Sequence, residues 1–156
     1  MVQFERSNTS SPNLIRVLGD TDVQKIFHYA RFDMAALKHA LKTDVQNVYC
    51  TKIASKIART YTNNHGLKDL CKELLSVEIS KKQQSSDWGN SNLSKDQITY
   101  AANDVIYLHQ IKNKLEEMLV RENRQLLVDA CLSFLPTRVE LDLSLIHISE
   151  PTRRRG

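Results

Sequence analysis

Residues 23–41, VQKIFHYARFDMAALKHAL, change their hydrophobic period in mid-stretch, and that change decides the fold class. Val23 to Tyr29 is a short apolar run of the kind a buried strand takes. From Asp33 onward, Met34, Leu37, Ala40 and Leu41 recur at helical spacing. Strand–helix alternation followed by packed helices implies a layered α/β fold with a small sheet. Asn47 to Cys50 supplies a second short strand candidate. Asp33 sits at the handover, where open α/β sheets gather their ligands. A carboxylate at a helix start also serves free backbone N–H groups, so position alone leaves both roles open.

The flanking sequence extends the same pattern. Val2 to Phe4 reads as the tail of a strand, and Ser11-Pro12 opens a short helix through Leu18 that Gly19 ends. Thr51 to Tyr61 repeats Ile53, Ile57 and Ala54, Ala58 at helical spacing, and Leu67 to Leu75 forms another amphipathic helix after the His65-Gly66 break. Ser80 to Asn92 is a loop by composition. Ser94 and Gln97 form a capping box. It predicts the longest helix, with Ile98, Ala101, Ala102, Val105, Leu108, Ile111, Leu115 and Leu119 on one core-facing stripe. A last helix is predicted from Gln125 to Leu135, stopping at Pro136.

Composition narrows the class. The 156 residues hold only 4 Gly and 3 Pro, too few for a turn-dense sandwich, a collagen-like chain or a linker protein. One domain of this length buries a core without staples. No apolar run reaches the ~20 residues of a membrane span, and MVQFERSNTSS lacks the apolar segment of a secretory signal. A cytoplasmic protein without membrane contact is expected. Three cysteines (Cys50, Cys71, Cys131) form no CxxC pair and are expected to be small buried hydrophobes. Five scattered histidines show no zinc spacing. Three of the 22 Lys+Arg and one of the 18 Asp+Glu lie after residue 142, leaving residues 1–142 at +2. Such mild basicity is compatible with nucleic acid without requiring it.

Tyr100 and Asp104, four apart on a helix, reach one site. Together with Asp33 they become specific. His28-Tyr-Ala-Arg-Phe-Asp33-Met-Ala-Ala-Leu37 resembles the second motif of the DEDD 3′-5′ exonucleases, and Tyr100-Ala-Ala-Asn-Asp104 resembles the third in its YxxxD, or DEDDy, form. The intervening Cys50 to Trp88 is similar to the ribonuclease D branch, and the resemblance covers residues 1–142. One departure is Tyr29, where an Asn often follows the His. The resemblance implies an α/β, ribonuclease H-like exonuclease fold with helices packed on a small mixed sheet. It also implies a metal-dependent 3′-5′ exoribonuclease that trims single-stranded RNA 3′ ends, with tRNA precursors as the candidate substrate and no obligate protein partner. Two divalent cations, Mg²⁺ or Mn²⁺, are implied, with Asp33 and Asp104 as two of four metal-holding carboxylates and Tyr100 orienting the attacking water.

The first motif of that family, an Asp-x-Glu on the opening strand, is not found before Asp33; Glu5, Asp20 and Asp22 lack its spacing. MVQF resembles the third strand of the sheet, so the fold is expected to be truncated at its N-terminus, with the opening strands missing and the chain an inactive fragment. Lys81, Lys82, Gln83, Gln84 and Trp88 form a basic loop with one aromatic, suited to single-stranded RNA, or to a solvated loop anchored by Trp88. Leu143 to Arg153, LSLIHISEPTR, resembles a translated sequencing-library adapter, so residues 143–156 are expected to be read-through rather than a domain. The rival reading is a non-catalytic RNA-binding or scaffold protein that keeps the fold and dispenses with the first motif.

Overall fold

A computed structural model describes residues 11–79 and 92–155, with side chains given through Leu145. Strands β1 (Lys25–Phe27) and β2 (Val48–Cys50) are joined by helix α2 (Ala30–Leu41). They pair in parallel, Lys25, Ile26 and Phe27 facing Val48, Tyr49 and Cys50. Parallel neighbours require a crossover rather than a hairpin, and α2 supplies it. The small sheet expected to be mixed is therefore wholly parallel among the described residues. β1 is shorter than its apolar run, whose ends Val23 and Tyr29 are exposed; β2 ends at Cys50 because a helix begins at the buried Thr51. The candidate strand Val2–Phe4 lies outside the described residues.

Around the sheet lie α1 (Pro12–Gly19), α3 (Thr51–Ala58), α4 (Leu67–Leu75), α5 (Lys95–Asn103), α6 (Leu108–Glu122) and α7 (Gln125–Arg155). One core cluster joins Tyr49, Ala54 and Ala58 to Leu70 and to Ile111, Leu115 and Leu119 of α6. Those three α6 residues fall four apart and are fully buried, each such side chain worth roughly 1.5–3 kcal/mol. A second cluster packs Met34 and Leu41 of α2 and Cys50 of β2 against Leu135 and Val139 of α7. The sheet thus separates a core under α3, α4 and α6 from one under α2 and α7.

Three local expectations need correction. The long helix predicted from Ser94 through Leu119 is two helices, interrupted by a turn over residues 104–107. The Ser94–Gln97 capping box does form, each side chain bonded to the other residue's backbone N–H. Beyond it Ile98 and Val105 are exposed, while Leu108, Ile111, Leu115 and Leu119 of the stripe are buried. The last helix does not stop at Pro136 but runs on to Arg155. Proline costs a helix interior about 3 kcal/mol, yet Leu135 and Val139 are buried on either side of it, and that packing outweighs the local cost. Cys131 is exposed, unlike Cys50 and Cys71, because the buried stripe of α7 runs through Val128, Leu135 and Val139. Among the described residues no helix is long and apolar enough to cross a membrane.

Candidate active site

The approach to Asp33 is built by the end of β1. Tyr29, the N-cap of α2, has φ 70°, the left-handed region. That conformation is uncommon for a residue with a Cβ, and here it turns the chain from strand into helix within two residues. His28, just before it, is tied by Nδ1 to the Thr51 hydroxyl at 2.9 Å, and Thr51 donates to the Phe27 carbonyl at 3.2 Å. The end of β1 is thereby pinned to the start of α3. Burial above all, and the nearby Lys52 charge, push the His28 imidazole down to about 4, so the ring is neutral at physiological pH.

Asp33 falls in the first turn of α2 and is half-buried. Its carboxyl is pushed up to about 6, first by burial and then by the negative charge of Asp104. Asp104 is the C-cap of α5, where its N–H bonds the carbonyls of Ala101 and Ala102. Partial desolvation raises its carboxyl too. Tyr100, in the last turn of α5, has its phenol raised by burial and then by the charge of Asp104. The turn over residues 104–107 places Asp104 at a helix end rather than within a straight helix. Residues from two helices separated by more than sixty positions thus act on one another electrostatically.

Two carboxylates that repel each other in a partly desolvated setting suit a hard cation, which removes the repulsion and favours oxygen ligands. Among the described residues no group of three or more His, Cys, Asp or Glu is placed to hold a metal ion. Asp33 and Asp104 alone fall short of such a group. Lys81, Lys82, Gln84 and Trp88, the proposed RNA-contacting residues, lie outside the described residues.

Sequence reasoning missed a second polar construction. Thr51, Ser55 and Arg59 repeat every four residues along α3 and are all buried. Ser55 Oγ lies 2.7 Å from His65 Nδ1, and Arg59 bonds Ser55 Oγ at 3.0 Å, the Asn64 carbonyl at 2.8 Å and Glu73 at 2.5 Å. The signal was present as a polar four-residue repeat beside the apolar one.

A 3′-5′ exonuclease family matches residues 2–120 of the chain. Ribonuclease D of Xanthomonas oryzae is 33% identical over 104 residues, covering 67% of this chain and 28% of that protein. The chain thus spans about a quarter of the length of the curated ribonuclease D relatives it matches. Among solved structures, NrnC of Brucella melitensis is 55% identical with a TM-score of 0.87, covering 91% of this chain and 69% of that one. That nuclease has also been solved with bound Mg²⁺ and bound to pGG. Escherichia coli RNase D, at 23% identity and a TM-score of 0.74, shares the fold.

Proposed function

The chain belongs to the 3′-5′ exonuclease family, and from that premise we propose that it removes nucleotides from the 3′ ends of single-stranded RNA by metal-assisted phosphodiester hydrolysis. The observation that carries this reading is the action of the Asp104 charge on Asp33, with Tyr100 under the same influence. Those three residues are the ones that the exonuclease motifs single out. Asp33 and Asp104 would hold divalent cations, Mg²⁺ or Mn²⁺, and NrnC with bound Mg²⁺ supports that choice. Such a pair of ions supplies stabilisation of charge on the attacking and leaving oxygens.

The remaining chemistry falls to the chain itself. The Tyr100 phenol, kept protonated by burial and by Asp104, would donate or accept one hydrogen bond to orient water toward the terminal phosphodiester. Neutral His28 and Thr51 hold the strand-to-helix handover in place, which fixes where Asp33 stands. Lys81, Lys82, Gln84 and Trp88 would add phosphate contacts and a stacking surface for the strand. The pGG complex of NrnC favours short oligonucleotides as substrates; tRNA precursors are the second candidate, on the strength of the ribonuclease D relatives. Free thiols at Cys50, Cys71 and Cys131 suit a reducing, cytoplasmic setting.

Two of the four expected carboxylates are present, because no Asp-x-Glu precedes Asp33. These 156 residues alone should therefore hydrolyse RNA far more slowly than a version extended by a strand bearing Asp-x-Glu. The test compares both on 5′-labelled RNA with Mn²⁺, using a short oligonucleotide and a tRNA precursor. The extended version should shorten RNA stepwise from the 3′ end, and Asp33→Asn or Asp104→Asn should abolish this. Equal trimming by both versions, or trimming that survives Asp104→Asn, would refute the carboxylate reading.

A further inference from the structure

Helices α2, α3 and α7 enclose a cavity of about 590 Å³, a volume in the range of small-molecule sites. Asp33, Tyr100 and Asp104 do not line it. Arg31 does, and lying two residues from Asp33 on α2 it points to the opposite flank of that helix. The floor is apolar, with Ile53 and Ile57 from α3 facing Phe134 and Leu135 from α7. The rim is cationic: Arg31, Lys52, Lys56 and Arg138 line the cavity, and among the described residues no Asp or Glu does. Among the described residues Asp142 is the carboxylate that pairs with this rim, at 2.6 Å from Arg31 and 3.3 Å from Arg138. Four cations against one carboxylate leave a surplus of positive charge above an apolar floor.

Aromatic rings border the same opening. Lys52 Nζ lies 4.1 Å from the centroid of the Tyr29 ring, which stacks on Phe32 at 6.3 Å. Tyr29 is 44% exposed and kept there in left-handed backbone geometry, a strain of order 1–3 kcal/mol of the sort that clusters at ligand clamps. A ligand matched to this cavity needs an apolar face and an anionic group that accepts from several donors at once. A single acyl carboxylate would engage one cation and leave the rest of the rim unused, whereas a phosphate accepts from several ammonium and guanidinium donors at once.

We propose that this cavity is a second nucleotide-binding site, with a base on the Ile53–Phe134 floor and its phosphate on the Lys52, Lys56 and Arg138 rim. The ligand is a phosphorylated nucleoside, either free or as one unit of an RNA strand. The site goes beyond hydrolysis and does not depend on it, because its binding needs no divalent ion.

Cys131 lines the cavity and is exposed, while Cys50 and Cys71 are buried, so alkylation by a maleimide reports the cavity through one fast thiol. Its rate is measured on the intact chain in EDTA, alone and with AMP, adenosine, inorganic phosphate or a short 5′-phosphorylated oligoribonucleotide. Saturating AMP or oligonucleotide should slow alkylation several-fold, with adenosine and phosphate giving little protection. Protection by AMP points to a free nucleotide, and protection by the oligonucleotide alone points to a unit of a strand. Lys56 is exposed, so Lys56→Glu should leave the fold intact by circular dichroism and remove the protection, while Lys114→Glu on α6, outside the cavity, should retain it. Failure of both nucleotides to protect, protection by adenosine equal to that by AMP, or undiminished protection in Lys56→Glu would overturn the site.

Discussion

Asp33 carries the most informative electrostatics in the molecule. Its carboxyl stands at about 6, chiefly through burial and further through Asp104. A carbon-detected NMR titration should place its midpoint near that value without divalent ions. Asp104→Asn should lower the midpoint while leaving it above the ordinary carboxylate range, because burial is the larger cause. An unchanged midpoint would show that the two residues do not interact. The linkage sign follows from a folded pKa above the unfolded one. Between about pH 4 and 6 the folded state retains a proton that the unfolded chain releases, so this group's contribution to stability is greatest at the acid end and falls as pH rises through about 6. A bound cation prefers the ionised pair. Mg²⁺ should therefore raise the melting temperature more at pH 7 than at pH 5, and the reverse order would contradict a carboxylate site. Motif spacing singles out positions 33, 100 and 104 as candidates, because it is read directly along the chain. The electrostatic influence of Asp104 on Asp33 was not legible, since it depends on tertiary placement.

At the scale of elements, α3 shows how a helix serves two cores at once. Its apolar residues face α6 and α7, and the row of Thr51, Ser55 and the C-cap Arg59 makes hydrogen bonds to β1, the His65 turn and α4. Arg59 is buried and depends on Glu73, which also accepts from Tyr61 at 2.9 Å. Removing one partner of a buried pair strands the other charge. Because Glu73 is itself 39% exposed, Glu73→Ala should cost about 2 kcal/mol, below the 3–5 kcal/mol of a fully buried partner, measured by urea unfolding. The bond to Arg59 holds the Glu73 carboxyl below its usual range, so its contribution is present above the unfolded pKa and lost as pH falls through the folded one. A Glu73→Ala variant that lost no stability at pH 7 would show the pair to be inert. In α7, Pro136 is tolerated rather than helpful. Pro136→Ala should stabilise the protein by up to about 3 kcal/mol; a loss would mean the ring itself is needed for packing. Helix starts with an explicit signal, such as Ser94 with Gln97, were readable in the sequence. The helix interruption at residues 104–107 and the run through Pro136 were not, because tertiary packing decides both.

For the molecule as a whole, the strand-then-helix succession of β1 and α2 was legible from a single change of hydrophobic period, whereas the parallel pairing with β2 was not, a mixed sheet being expected. The polar repeat of α3 escaped notice because its partners come from three other elements. Residues 143–156, read as adapter sequence, are proposed to contribute little beyond Leu143, which packs on the second core cluster. Deleting 144–156 should shift stability by less than about 0.5 kcal/mol, read by thermal melting; a large fall would assign the segment to the domain. The central claim is that Asp33 and Asp104 form one cation-holding centre. Paramagnetic broadening of amide signals on titration with Mn²⁺ tests it most directly. The predicted result is simultaneous broadening around residues 33 and 104 at low Mn²⁺, lost from both regions in Asp104→Asn. Broadening at only one of the two, or at both in spite of that substitution, would contradict it.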